Sequence, residues 1–248
     1  MTGLINLRLK KVIFHLGRHP KTAVVMDYLH YLLPNLFYRL KPWEKDRTPG
    51  FVRRAYKNYS DYITHQKSKA IFVHTTEDCA ERQAFIKDGL TERLSRLEFI
   101  KPGLSVLCLG AMSGGEVEAF FAYGCFAVGI DIHPVPSRDN LYVLYGDFQQ
   151  LQFPDSCVDL VYTNSLDHAF DLRVVAGEVC RVLKPGGIFY CEAVKGFVYE
   201  VPREFESVWW ENIEHLICLI EKEGLKLLSR NEVGHGSRWN QFVFAKGR

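Results

Sequence analysis

The stretch Leu104 to Asp131 limits what this chain can fold into more than any other. Ser105 to Leu109 is a short, uniformly apolar run, the pattern of a strand covered on both faces. Gly110-Ala111-Met112-Ser113-Gly114-Gly115 breaks that run. Glu116 to Tyr123 then sets Val117, Phe120 and Phe121 at helical spacing, and Gly124 is a helix stop. Phe126 to Ile130 reads as a second buried strand with Asp131 at its carboxyl end. A βαβ unit of this kind holds its ligand at the tips of its strands, where a carboxylate can accept from both hydroxyls of a ribose.

The glycines restrict which nucleoside. A dinucleotide fingerprint G-x-G-x-x-G would place glycines at 110, 112 and 115, but Met112 stands in the middle place, where backbone must approach a pyrophosphate. A nucleoside ligand without a pyrophosphate meets that objection less.

The rest of the chain continues the alternation. Strands are expected at Leu141 to Tyr145, Val158 to Tyr162, Ile188 to Ala193, Leu225 to Arg230 and Trp239 to Ala245. Helices are expected over Thr76 to Phe99, divided near Asp88-Gly89, over Asp171 to Leu183, and over Phe205 to Glu223, the last carrying Trp209 and Trp210. Lys184-Pro185-Gly186-Gly187 reads as a sharp turn, and Tyr56, Tyr59 and Tyr62 as one face of a helix. Strands alternating with helices from Leu104 onward give an α/β domain with a mostly parallel sheet.

Charge is unevenly spread. Residues 1–47 hold nine basic and three acidic side chains in a chain of net charge +2, so the remainder is net acidic. Leu4 to Leu16 and Thr22 to Leu33 are expected as short amphipathic helices in that basic segment. A lid over a substrate pocket, a membrane-surface patch and a partner interface are all open to it. The chain divides into a helical, basic extension over 1–75 and a ligand-binding domain over 76–248. Seven scattered cysteines with no C-x-x-C fit small hydrophobes in a reducing cytoplasm, and no His, Cys or acid spacing suggests a metal. No secretory signal is evident, and the apolar segment Ala23 to Tyr38 is broken by Asp27, His30 and Pro34.

Four segments in order, VLCLGAMSGG, VGIDIHP, YGDFQQLQFPDSCVDLVYTNSLDHAFD and RVLKPGGIF, make the chain from about Leu90 onward resemble the class I S-adenosylmethionine-dependent methyltransferases. The resemblance implies a Rossmann-like, doubly wound, seven-stranded sheet whose last strand is antiparallel, with S-adenosyl-L-methionine as cofactor. It places Gly110, Ala111, Met112 and Gly114 in the turn beneath the cofactor. Asp131 and Ile132 would lie at the ribose, Asp147 and Phe148 at the adenine, and Asn164 at the methionine portion. The family often carries an acid where this chain has Cys108 and a glycine where it has Met112, and Glu116 is a substitute for that acid.

Methyl transfer from a sulfonium is an in-line displacement that needs alignment and dryness rather than a metal. His168, in the loop after the fourth strand, is the candidate base, and Asp167 or Asp171 is placed to orient it or to contact the acceptor. The expected activity is methylation of a small or medium organic acceptor. A non-catalytic module that keeps the fold is the alternative. Nucleic acid is not expected, because that loop is not of the D/N-P-P-Y type and the net basic charge is confined to the amino-terminal arm.

Overall fold

A computed structural model describes residues 42–69, 76–135, 142–197, 200–203, 205–233 and 239–248. The central sheet contains β3 (Ser105–Leu109), β4 (Phe126–Asp131), β5 (Val143–Tyr145), β6 (Val158–Thr163), β7 (Leu183–Val194), β9 (Leu225–Glu232) and β10 (Trp239–Lys246). Their order is β5-β4-β3-β6-β7-β10-β9. The pairs from β5 through β7 are parallel, and β10 runs antiparallel between β7 and β9, as expected. The order reverses beside β3, so a crevice opens over the carboxyl ends of β3, β4 and β6.

The two-residue period of the strands divides the core into two layers. Leu107, Leu109, Val161 and Phe189 point to one face, against α4 (Leu172–Val182) and α5 (Ile213–Lys222). Val106, Cys108, Leu160 and Tyr162 point to the other, against α2 (Thr76–Leu94) and α3 (Gly115–Phe121). α2 runs unbroken through Gly89, so the expected division there is corrected. It buries Leu90 and Leu94, and Arg93 forks onto the buried Glu192 of β7 at 2.6 and 2.9 Å. A single glycine costs a helix only about 1 kcal/mol, which those anchors exceed.

The expected turn at Lys184–Gly187 lies inside β7. The register passes from Val158↔Leu183 to Leu160↔Ile188, so the glycines form a bulge and not a strand boundary. A larger correction concerns Phe205 to Glu223. Val208–Trp210 is a strand, β8, and the helix begins only after Asn212, whose side chain accepts from the Glu214 and His215 N–H groups. β8 pairs with β2 (Phe51–Arg54), which pairs with β1 (Trp43–Lys45), in a separate three-stranded sheet. Trp209 and Trp210 therefore sit on neighbouring strand positions, both buried, rings stacked 5.5 Å apart at 12°.

The second sheet ties the amino-terminal part to the main domain. Buried Arg54 donates to the carbonyls of Arg203 (2.7 Å) and Glu206 (3.0 Å). α1 (Tyr59–Ser68) starts at Asn58, which caps Asp61 N–H, so Tyr56 precedes the helix. The three tyrosines still meet, because all pack on Phe170 at ring distances of 5.3 to 6.1 Å. The amphipathic helices expected at Leu4 to Leu16 and Thr22 to Leu33 lie outside the described residues.

Candidate functional site

The crevice over β3, β4 and β6 is built by backbone first. Gly110 adopts φ +73°, and a Cβ there would meet the Ser165 side chain at 2.8 Å. The Gly110 and Ala111 N–H groups both donate to Ile130 O, at 2.9 and 3.1 Å, which draws the turn over the end of β4. Asp131 then accepts Met112 N–H at 3.1 Å on one carboxylate oxygen and His133 N–H at 2.7 Å on the other. Each oxygen keeps a further lone pair, so the carboxylate is fixed in direction yet able to accept two hydroxyls.

A narrow cavity of about 100 Å³ lies against this turn. Of the expected residues, Gly110, Ala111, Met112, Asp131, Ile132, Phe148, Asn164 and His168 line it. Gly114, Asp147 and Asp167 do not. Gly114, at φ +84°, is the residue before α3. Asp147 accepts Gln149 N–H at 2.9 Å and the Tyr59 hydroxyl, and burial raises its pKa. The sequence reading missed Gln66 and Lys69 from α1 and its end, and Arg82 and Ile86 from α2, which close the same cavity together with Tyr62. None of them stands near a recognisable motif; the 66/69 and 82/86 spacings each hint at one helical face.

A second, larger cavity of about 1140 Å³ shares Lys69, Arg82, Ile86, Asn164, Ser165 and His168 with the first. Aromatic and apolar groups from the second sheet, α2 and the segment before β8, including Trp43, Phe85 and Phe205, line it beside Asp167, Glu192 and Glu206. Two cavities that meet at one wall are what a transfer between two bound molecules requires.

That shared wall carries the perturbed groups. His168 Nδ1 lies 2.9 Å from Phe205 O, which can only accept, so Nδ1 holds the proton. Nε2 is then an acceptor, and Lys69 Nζ lies 3.2 Å from it. Burial, and then Lys69, push His168 well below its usual range, so the ring is neutral. Burial, and then Arg82, lower Lys69. Asp167 is displaced the other way: burial first, then the Glu206 carboxylate, push its carboxyl up to about 7, with Lys69 opposing. Its carboxylate stands 4.0 Å from His168 Nε2, and a neutral ring makes that a contact and not an ion pair.

The residues present suit an adenosyl amino acid. Asp131 offers two directed acceptors for a ribose, the turn at Gly110 leaves room for close approach, and the buried Glu116 has a carboxylate oxygen, Oε2, with no hydrogen-bond partner among the described residues. No group of three or more His, Cys, Asp or Glu able to hold a metal occurs among the described residues.

Comparison with known proteins agrees with this fold. Residues 107–191 match the family model described as a methyltransferase domain. Over 104 residues, 36% of this chain, the sequence is 36% identical to a sterol 24-C-methyltransferase of Gibberella zeae and 53% identical to that of Aspergillus fumigatus. The match spans only 27% and 28% of those two proteins, so the chain covers well under a third of the curated relatives it resembles. Among solved structures, the 1,6-didemethyltoxoflavin-N1-methyltransferase of Burkholderia thailandensis, with S-adenosylhomocysteine bound, superposes with a TM-score of 0.62 at 13% identity, covering 82% of this chain and 99% of that one. PH0226 from Pyrococcus horikoshii gives 0.52 at 21% identity, covering 70% and 93%. At those identities the structural likeness concerns the fold alone.

Proposed function

Because the chain belongs to the class I S-adenosylmethionine-dependent methyltransferase family, we propose that it methylates a small or medium organic acceptor held in the larger cavity. The single observation that carries this reading is the shared wall of the two cavities, to which the end of β6 contributes Asn164, Ser165 and His168. The cofactor supplies an activated methyl group. Asp131 holds the ribose, and Gly110 to Met112 form the floor beneath it. Asp147 serves the adenine end once the Tyr59 hydroxyl yields its place. The mixed aromatic and charged lining suits an acceptor with an apolar body and a polar reactive end, in keeping with the sterol substrates named for the relatives.

In this reading the acceptor's proton passes to Asp167. A carboxyl with a pKa near 7 is half ionised at neutral pH and matched to that task. His168 is a positioning residue: its proton is committed to Phe205 O and its lone pair to Lys69. Asp167→Asn should lower turnover about 10²- to 10⁴-fold.

The same substitution gives a test that needs no acceptor. An acid whose folded pKa is raised favours folding only while protonated, so its cost is absent below the unfolded pKa near 3.8 and complete above about 7. Asp167→Asn should therefore raise Tm by several degrees at pH 8 and by much less at pH 5. Thermal unfolding at the two pH values reads this directly, and equal shifts would remove Asp167 as the raised acid.

A cytoplasmic site of action and contact with a membrane surface through the basic segment belong to the same proposal. No helix among the described residues is long and apolar enough to cross a membrane. Removing residues 1–41 should abolish sedimentation with anionic vesicles and leave S-adenosylhomocysteine affinity unchanged; vesicle binding that survives the truncation would refute that contact.

A further inference from the structure

Glu116 is the second residue of α3, 4% exposed, with its side chain against the smaller cavity. Its Oε2 has no hydrogen-bond partner among the described residues. A buried carboxylate with an open acceptor is costly to keep, and a chain that keeps one against a cavity has a donor in view. The charged and titratable groups that face it come from four elements: Arg82 of α2, Asp131 of β4, Cys108 of β3 and Tyr162 of β6. Asn164, after β6, adds a polar neighbour. Cys108 is itself buried with its thiol pushed up, so it stays neutral and offers no charge to a cation.

We propose that Glu116 binds the α-ammonium of the cofactor's amino-acid end, supplying from the helix the negative charge that Cys108 does not supply from the strand. The inference rests on the cofactor assignment made above. Position decides between the cofactor's two cationic groups. Glu116 lines the smaller cavity alone, whereas Asn164, Ser165 and His168 line both. The reacting sulfonium must face the acceptor and so belongs at the shared wall, which leaves the ammonium for Glu116. Energetics agree. A carboxylate on the sulfonium would lose its partner's charge as the methyl leaves, holding back the transition state, whereas the ammonium keeps its charge throughout. Burial, the largest influence, raises the Glu116 carboxyl to about 7, so a bound cation would draw it back to the ionised form.

The test compares two neutral-sulfur ligands by calorimetry on the full chain. S-adenosylhomocysteine carries the ammonium; 5′-methylthioadenosine lacks the amino-acid end. Glu116→Gln should weaken S-adenosylhomocysteine roughly 10- to 100-fold and change 5′-methylthioadenosine less than about twofold. Equal weakening of both, or of neither, overturns the assignment. Wild-type protein that binds neither ligand overturns the cofactor reading itself. A measurement on the wild type covers the case in which the variant does not fold. At pH 7, S-adenosylhomocysteine binding followed in buffers of different ionisation enthalpy should release about half a proton, since a carboxyl near 7 is then half protonated. 5′-Methylthioadenosine should release none, and no difference between the two ligands also refutes the proposal.

Discussion

Asp131→Ala should weaken S-adenosylhomocysteine binding by about 100- to 10 000-fold, the largest loss expected of any single change in the crevice. Two hydrogen bonds to a charged acceptor are removed at once, each worth about 1.5–3 kcal/mol. The carboxylate is also a structural brace, because Met112 and His133 N–H both end on it. Part of the loss would then come from a loosened turn and not from missing ribose contacts. The 2′-deoxy analogue of S-adenosylhomocysteine separates the two. Wild-type protein should prefer the ribose form by about tenfold or more, and the variant should show little preference. A variant that still discriminates would mean that Asp131 shapes the turn without touching the sugar.

The part of this site that follows the chain locally was legible in the sequence. Strand, glycine turn, helix and terminal Asp131 all lie within one βαβ unit, and each piece is dictated by its near neighbours: an apolar run, a positive φ at Gly110, a carboxylate at a strand tip. The same holds for the loop at Asn164 to His168 after β6. The walls of the two cavities were not legible. Lys69, Arg82 and Trp43 reach the site from elements far away in sequence, and nothing around them announces a ligand. The misread tryptophans make the same point physically. Val208-Trp209-Trp210 leads into a helix with a strong apolar face, and local periodicity extends that helix backward. Pairing with Phe51 to Arg53 from far upstream overrides it. Strand propensity is largely a statement about cross-strand partners, which a local reading does not contain.

Those two tryptophans also provide a sharp stability contrast. Both are buried, but only Trp210 has a partner for its indole N–H, which donates to Val194 O at 2.9 Å; the Trp209 Nε1 is buried without one. Trp210→Ala should cost about 3–5 kcal/mol from lost packing alone. The Val194 carbonyl at the end of β7 loses its donor as well. In a chain of this size that corresponds to a fall of about 10 °C or more in Tm. Replacement by phenylalanine isolates the polar contribution. Trp210→Phe forfeits the hydrogen bond and should cost about 1–3 kcal/mol more than Trp209→Phe, which discards a donor that has no partner. Urea unfolding of the three single variants measures the difference. The expected consequence reaches the site, because β8 follows Ser207, whose N–H donates to Asp167 O at 2.8 Å, and Phe205, whose carbonyl fixes the His168 proton. Loosening β8 by Trp210→Ala should therefore mobilise the Asp167–His168 turn while the Asp131 brace, on the far side of the crevice, keeps S-adenosylhomocysteine affinity within a few fold. Equal costs for the two phenylalanine variants would show that the Trp210 hydrogen bond does not hold the second sheet to the end of β7.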